Sequence, residues 1–308
     1  MAAPLLSIER LRVDVPGQVV LENVSLQVGE GEILGLLGPP ASGKTTLLRA
    51  ASGLIDLTSG VVRAGAFRYP AQPESFKRSV GFVAENAPLP ARLTAAEFLD
   101  HFARAYDLSL PGWRIMECLE LTWLADQRAV LCADLSHGMR QRLSIARALL
   151  ADPPVLLIDA PGSCPDPLGR MDVWKLLLQL RDAGKALLAS ARRVEDLVPI
   201  CERAVLLARA RLSASTPLSQ LAPGRTPRRL SVRWRGAASH AMEVLNSCGN
   251  ITSLAPSDSG AQFEFEGDAE SLHELLRQLI MRDIHVTEWR SLEDEALEPA
   301  PLRVPMRI

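Results

Sequence analysis

The sequence predicts an α/β fold built around a glycine-rich loop, followed by a smaller α+β domain. The loop follows the apolar run 33–37 and reads Gly38-Pro-Pro-Ala-Ser-Gly43-Lys44-Thr45-Thr46, with a strand pattern before it and a helix pattern after it. Between residues 136 and 212, helix and strand patterns alternate, which is typical of the α/β class. Further short strand and helix patterns after residue 227 predict the second domain.

The first elements form a β layer and a helical insertion. Residues 5–30 alternate apolar and polar side chains, which predicts an antiparallel β layer. The strand, loop and helix of the glycine-rich segment come next, followed by short strands up to residue 84. Thr94 and Glu97 have the spacing of a capping box, which predicts a helix that starts after Thr94. Together with its neighbours, this helix forms a helical insertion at about 86–134 within the first domain.

The C-terminal part is predicted from the order of its elements. We expect the first domain to span 1–216 and a Pro-containing linker to span 217–227. From 228 to 298 the patterns follow the order strand, helix, strand, strand, helix, strand, which predicts a small ferredoxin-like domain. The last segment, 299–308, is Pro-rich and is expected to be a loose tail.

The glycine-rich loop has the spacing G-x-x-x-x-G-K-[ST] of a phosphate-binding P-loop. Backbone N–H groups of such a loop point at nucleotide phosphates, Lys44 can reach the β- and γ-phosphates, and the Thr45 hydroxyl can hold Mg²⁺. Pro40 lacks a backbone N–H, so the cradle is expected to be weaker than average. The predicted nucleotide-binding residues of the loop are Gly38, Ser42, Gly43, Lys44, Thr45 and Thr46.

A second motif, Leu135-Ser136-His137-Gly138-Met139, stands at the start of a helix pattern. Ser136 and Gly138 occupy the helix N-terminus, where N–H groups and the helix dipole favour an anion. The buried strand pattern that follows ends in Asp159. With these elements in this order, residues 5–215 resemble the ATP-binding subunits of ABC transporters: 135–139 is similar to the signature L-S-G-G-Q, and Asp159 to the Walker B aspartate.

The resemblance implies ligands, partners and a location. ATP and Mg²⁺ are the expected ligands, with Thr45, Glu85 and Asp159 as the metal-binding residues. Glu85 stands where the family usually has a glutamine. The expected partners are membrane-embedded permease subunits and a second ABC ATPase subunit, so that the chain would be cytoplasmic and peripheral on the inner face of the cell membrane. The segment 291–294, Ser-Leu-Glu-Asp, resembles the ending of a C-terminal domain in export-type and gliding-type ABC ATPases.

Three further positions depart from the family pattern. Ala160 replaces the glutamate that activates the attacking water, and Arg192 stands at the position of the switch histidine. A positioned general base contributes about 10²–10⁴ in rate, and alanine cannot act as one. The adenine-stacking aromatic residue falls near Val15, which has no ring. These degenerate positions predict weak or no ATP hydrolysis in this chain's own site.

Composition excludes several other classes of protein. The net charge of −2 gives no global field for nucleic acid, so we expect no nucleic-acid partner. The apolar runs are far shorter than the ~20 residues that span a bilayer, and early charged residues argue against a secretory signal. The five cysteines and five histidines are scattered, so neither a disulfide framework nor a metal cluster is expected.

Three functions remain open from the sequence. The first is an ABC transporter subunit whose own site is impaired and which supplies its signature motif to an unlike partner ATPase, although a homodimer is also compatible with the sequence. The second is a fully active transporter ATPase that uses another base. The third is a soluble, non-transport ABC protein that acts as a nucleotide-sensing scaffold. Neither the transported substrate nor its direction of movement can be read from the sequence.

Overall fold

The computed structural model describes residues 4–15, 18–85, 87–218, 228–235, 238–257 and 259–265, together with 275, 279, 282 and 284–291. The chain divides into two compact units, Met1–Ala222 and Pro223–Ile308, and each unit has its own hydrophobic packing. Within the described residues, every helix is too short or too polar to cross a lipid bilayer.

The first unit begins with an antiparallel sheet made of β1 (Leu6–Val15), β2 (Gln18–Val28), β4 (Ser59–Ala64) and β5 (Phe67–Tyr69). The strands are arranged in the order β2-β1-β4-β5, with Leu6 opposite Val28 at one end of the first pair. Along β1 the apolar side chains except Val15 are buried and most polar ones are exposed, with shifts in phase at β-bulges. The predicted antiparallel β layer is confirmed.

The central sheet contains β3 (Ile33–Leu37), β6 (Val80–Val83), β7 (Val155–Ile158), β8 (Ala186–Ala191), β9 (Arg203–Ala208), β10 (Arg211–Leu212) and β11 (Thr216–Pro217). The strands β9, β3, β8, β7 and β6 are neighbours in that order and run parallel, while β10 and β11 pair antiparallel with β9. Because parallel strands end at the same edge of a sheet, the segments after β3, β6, β7 and β8 meet there.

The α-helices given by the described residues of the first unit are α1 (Lys44–Ala51), α2 (Pro73–Arg78), α3 (Ala95–Ala105), α4 (Pro111–Leu121), α5 (His137–Leu149) and α6 (Pro167–Asp182). Alternate residues of β3 face two different cores. Leu34 and Leu36 pack with α1 and the β layer, whereas Ile33 and Leu37 belong to the core formed with α3 to α6. The central sheet therefore separates two apolar layers, as the α/β prediction requires.

The helical insertion is closed at its base. Thr94 caps α3 as predicted: its hydroxyl accepts from the Glu97 N–H at 3.2 Å, and the Glu97 carboxylate accepts from the Thr94 N–H at 2.8 Å. Thr94 also forms an antiparallel bridge with Leu131, and the Cys132 N–H donates to the Leu93 carbonyl at 2.8 Å. The chain therefore enters and leaves α3 and α4 through one short stem.

The second unit contains β12 (Arg228–Arg235), α7 (Ala238–Ser247), β13 (Ile251–Ser257), β14 (Gly260–Phe265) and β15 (His285–Ser291). Its four strands form an antiparallel sheet in the order β13-β14-β12-β15. The described elements follow the order strand, helix, strand, strand and final strand, and the second helix of the expected βαββαβ order, at 268–282, is not tested by them. Three predicted segments lie wholly or mostly outside the described residues: the helix at 268–282, the motif at 291–294 and the tail at 299–308.

The predicted linker at 217–227 begins inside the first unit. Pro217 belongs to β11 and pairs with Arg203 of β9, while Leu218 is buried and its N–H donates to the Glu202 carbonyl at 2.9 Å. Residues 219–227 lie outside the described part of the chain. The domain boundaries at residues 216 and 228 remain predictions.

Candidate nucleotide-binding site

A cavity of about 260 Å³ lies at the carboxyl edge of the central sheet. The glycine-rich loop after β3 and the segments after β6, β7 and β8 form its walls. The residues that line it are Val20, Pro40, Ala41, Ser42, Gly43, Lys44, Thr45, Thr46, Glu85, Asp159, Ala160, Ser190, Ala191 and Arg192. The structure thus brings together most of the site residues predicted from the sequence, although they are far apart along the chain.

The backbone of the loop explains why its two glycines are needed. Gly43 has φ +100°, in the left-handed region that favours glycine, and it directly precedes α1. A Cβ on Gly38 would lie 2.5 Å from the Leu207 carbonyl oxygen, so a side chain there cannot be accommodated without a shift of β9. The Ser42 N–H is already bonded to the Pro39 carbonyl at 3.3 Å. The free N–H groups at the start of α1 remain to face an anion.

Lys44 is held inside the loop. Its Nζ donates to the carbonyl oxygens of Gly38 at 2.7 Å and Pro39 at 2.8 Å, and it lies 3.4 Å from the Ser42 hydroxyl. Burial lowers the pKa of the Lys44 ammonium, and the nearby Asp159 carboxylate opposes that effect. The ammonium is therefore fixed at the cavity wall, where a phosphate oxygen can replace a loop carbonyl as its partner.

Asp159 is bonded through both carboxylate oxygens. The Thr45 hydroxyl donates to Oδ2 at 2.7 Å, and the Ser190 hydroxyl donates to Oδ1 at 2.5 Å. A hydroxyl beside a carboxylate is the kind of oxygen ligand that Mg²⁺ uses when substrate phosphates complete its shell. No group of three or more His, Cys, Asp or Glu side chains in the described residues could hold a metal by itself. Thr45 and Asp159 therefore fit a magnesium ion that arrives with a nucleotide.

Several lining residues were not predicted as site residues from the sequence, among them Ser190 and Val20. Ser190 bridges Asp159 and the next peptide, because its hydroxyl also accepts from the Ala160 N–H at 2.9 Å. In the sequence, Ser190 could have been recognised as the one hydroxyl residue near the end of the otherwise apolar strand β8. Val20 of β2 lines the cavity as well, and no sequence pattern distinguishes it from its apolar neighbours.

Ala160 places a methyl group beside the cavity where the family has a glutamate. Its φ is +49°, so the chain turns sharply directly after Asp159. Among the described residues that line the cavity, the carboxylates are those of Asp159 and Glu85. Both are already engaged in hydrogen bonds, Asp159 with two hydroxyls and Glu85 with Arg192. The lining therefore has no carboxylate at the position directly after Asp159, where the family has its glutamate.

Glu85 and Arg192 form an ion pair with each other. An Arg192 guanidinium nitrogen lies 3.1 and 3.2 Å from the two carboxylate oxygens of Glu85. From the sequence, the two residues were given separate roles: Glu85 was predicted to be a magnesium ligand, and Arg192 was assigned to the switch-histidine position. The structure adds that their charges face each other across two adjacent segments of the cavity wall.

Ser136 and Gly138 are not among the residues that line this cavity. Ser136 is exposed and caps α5, since its hydroxyl accepts from the Met139 N–H at 3.2 Å. Gly138 is buried against α6, where a Cβ would lie only 2.7 Å from the Gly169 Cα. Gly138 thus has a packing role that its motif did not reveal, while the cap leaves an exposed helix N-terminus.

The adenine-stacking position also lacks a ring in the structure. Val15 ends β1 with 43% of its surface exposed, and it is not among the residues that line the cavity. Residues 16 and 17 lie outside the described part of the chain. The nearest contribution of the β layer to the cavity is the aliphatic side chain of Val20.

Comparisons with known proteins agree with this geometry. A family model described as ABC transporter matches residues 21–163. The uncharacterized ABC transporter ATP-binding protein YdbJ of Bacillus subtilis (strain 168) is 31% identical over 303 residues, covering 97% of this chain and 96% of that protein. Nod factor export ATP-binding protein I of Cupriavidus metallidurans is 34% identical over 199 residues, covering 64% of this chain and 66% of that protein.

A solved structure of the ATP-binding subunit of an ABC transporter is also similar. It is 28% identical, with a TM-score of 0.62, and the match covers 70% of this chain and 91% of that one. The parallel sheet, the P-loop and the antiparallel β layer define a P-loop nucleotide-binding domain. The chain belongs to the ABC transporter ATP-binding proteins, and it is an ATP-binding subunit of such a transporter.

Proposed function

We propose that the chain binds Mg-ATP in this cavity, hydrolyses it slowly, and supplies its own signature motif to the active site of a partner ATPase. The observation that carries the proposal is the methyl group of Ala160, which lines the cavity directly after Asp159 and can neither orient nor deprotonate a water molecule. The P-loop and its lysine are intact, so the proposal separates binding from hydrolysis.

The binding half of the proposal assigns a task to each group. Lys44 and the N–H groups at the start of α1 hold the phosphates. Thr45 and Asp159 hold Mg²⁺, which supplies charge neutralisation of the phosphate oxygens when it is bound. Ser190 keeps the Asp159 carboxylate in position.

The proposed slow hydrolysis follows from two catalytic side chains that this chain lacks, the glutamate and the switch histidine of the family. Phosphoryl transfer to water requires a residue that orients the water, and the side chain of Ala160 has no polar atom for this purpose. Arg192 is a permanent cation and cannot relay a proton as a histidine can. The loss of a general base alone removes about 10²–10⁴ in rate. The bound nucleotide would then act mainly as a clamp between two subunits.

Replacing Lys44 with alanine tests the binding half. Loss of the ammonium should weaken Mg-ATP binding about tenfold or more, because a charge-assisted hydrogen bond is removed. Isothermal titration calorimetry on the purified chain measures the dissociation constant. Lys77→Ala removes the same charge from the exposed surface of α2 and should leave the affinity unchanged. Equal affinity in wild type and Lys44→Ala would contradict nucleotide binding at this loop.

A second cavity supports contact with a permease. It measures about 440 Å³ and lies between the segment 84–91 and the start of α5. Gln141 lines it, is buried, and has no hydrogen-bond partner for either side-chain polar atom within the described residues. Buried amides are normally bonded, so this one is suited to a polar group from another chain. We place a permease segment here, which would hold the subunit at the inner membrane surface.

Crosslinking tests this contact. A photoreactive amino acid at Ala91, which lines the second cavity, should crosslink to an integral membrane protein when the chain is expressed in its native cells. The same probe at the exposed Glu74 of α2, which is outside that lining, should not. Mass spectrometry identifies the captured protein. Crosslinks from Ala91 to soluble proteins alone would favour the scaffold function instead.

A further inference from the structure

The ion pair between Arg192 and Glu85 lies in the wall of the cavity that contains Lys44. Both residues line the cavity, and the charges of both act on the Lys44 ammonium. The Arg192 side chain is 61% exposed and that of Glu85 is 26% exposed. Among the described residues, Glu85 is the carboxylate that pairs with the guanidinium, and the rest of the Arg192 side chain is largely exposed to solvent.

Carboxylate and phosphate compete for such a guanidinium. Its planar fork of N–H donors fits the oxygens of either group, and a terminal phosphate carries the larger negative charge. Ion pairs as exposed as this one are weak. Glu85 therefore cannot keep Arg192 against a γ-phosphate that Lys44 holds at the same cavity.

The geometry points to Arg192 as the residue that distinguishes ATP from ADP in this chain, by exchanging its bonds to Glu85 for bonds to the γ-phosphate. ADP lacks that phosphate and leaves the pair intact. No covalent bond changes in the exchange. The inference rests on the proposed function, because it requires nucleotide phosphates at Lys44. Glu85 also lines the second cavity, so the exchange frees a carboxylate on a wall that both cavities share.

The first test compares ATP and ADP binding to the full chain by isothermal titration calorimetry. EDTA is present, so that a metal-binding role of Glu85 does not contribute. Arg192→Gln should weaken ATP binding about tenfold or more and change ADP binding less than about twofold. Arg193→Gln removes the same charge from the next residue, which does not line the cavity, and should leave both constants unchanged. Arg192→Lys keeps the charge without the fork and should fall between.

The second test removes the competing carboxylate. Glu85→Gln should tighten ATP binding about two- to fivefold, as expected when a weak ion pair no longer has to be broken, and leave ADP binding unchanged. In the Arg192→Gln background, Glu85→Gln should give no gain, because the competition acts only through Arg192. A carboxylate that merely repels phosphate would give the same gain in both backgrounds.

Two results would overturn the inference: equal loss of ATP and ADP affinity in Arg192→Gln, or a Glu85→Gln gain that persists without Arg192. Both side chains are at the surface of the cavity, so the variants are expected to fold, which circular dichroism and thermal unfolding verify. If wild type binds neither nucleotide, the proposed function fails. If both nucleotides bind in a Lys44-dependent manner but Arg192 does not set the preference, this inference alone fails.

Discussion

Replacing Ala160 with glutamate is expected to raise the ATP turnover of the purified chain about a hundredfold, the lower end of what a positioned general base contributes. The backbone already accepts an unbranched residue at φ +49°, and the Ala160 N–H that binds Ser190 is unchanged by the substitution. Phosphate release at saturating Mg-ATP measures the rate. The Lys44→Ala substitution in the same background shows whether the gained activity comes from this site.

Ala160→Gln is the matched control. It adds nearly the same volume without a carboxylate to act as a base, so its turnover should stay far below that of Ala160→Glu. The double variant Ala160→Glu/Arg192→His has the family's residues at both the catalytic-glutamate and the switch-histidine positions. It should be at least as active as Ala160→Glu alone. A wild-type chain that already turns over as fast as Ala160→Glu, and loses that activity with Lys44→Ala, would contradict the proposed impairment.

Replacing Ser136 with arginine is expected to abolish ATP hydrolysis by the assembled complex. In the proposed arrangement, the exposed start of α5 completes the partner's active site, and arginine puts bulk and charge where the partner's γ-phosphate should lie. Lys44→Ala, which damages only the slow site of this chain, should reduce the rate without abolishing it. The ATPase rate of the complex purified from membranes measures both effects.

Ser136→Ala separates this effect from the loss of the helix cap. Both substitutions remove the hydroxyl that accepts from Met139, at a cost of about 0.5–2 kcal/mol in stability, but alanine adds no bulk. We expect Ser136→Ala to retain most of the activity. If Lys44→Ala is the more damaging substitution, or if the complex contains two copies of this chain and no other ATPase, the unlike-partner arrangement is wrong.

The sequence predicted the features that depend on neighbours along the chain. The P-loop spacing, the capping box at Thr94 and the alternation along β1 are all local, and each has its expected geometry. The meeting of Asp159 with the P-loop also followed from the order of elements, because parallel strands end at one edge.

The missed features depend on contacts between distant segments. The pairing of Glu85 with Arg192 requires the exact offset of two loops, which no residue pattern encodes. The same is true of Gly138, whose contact with Gly169 depends on how closely α5 approaches α6. Ser190 was missed because the hydroxyl of a serine in a buried strand can form hydrogen bonds with many different groups. The structure shows that its acceptor is the Asp159 carboxylate.

The closed stem of the helical insertion makes it a module. Its two ends are joined by the Thr94–Leu131 bridge and by the hydrogen bond between Cys132 and Leu93. A segment whose ends lie together can be exchanged without stretching the elements on either side, as in tolerated domain insertions. The segment 95–130 could therefore be transplanted between relatives, giving chimaeras that keep the phosphate chemistry of one parent while carrying the outer helical surface of another.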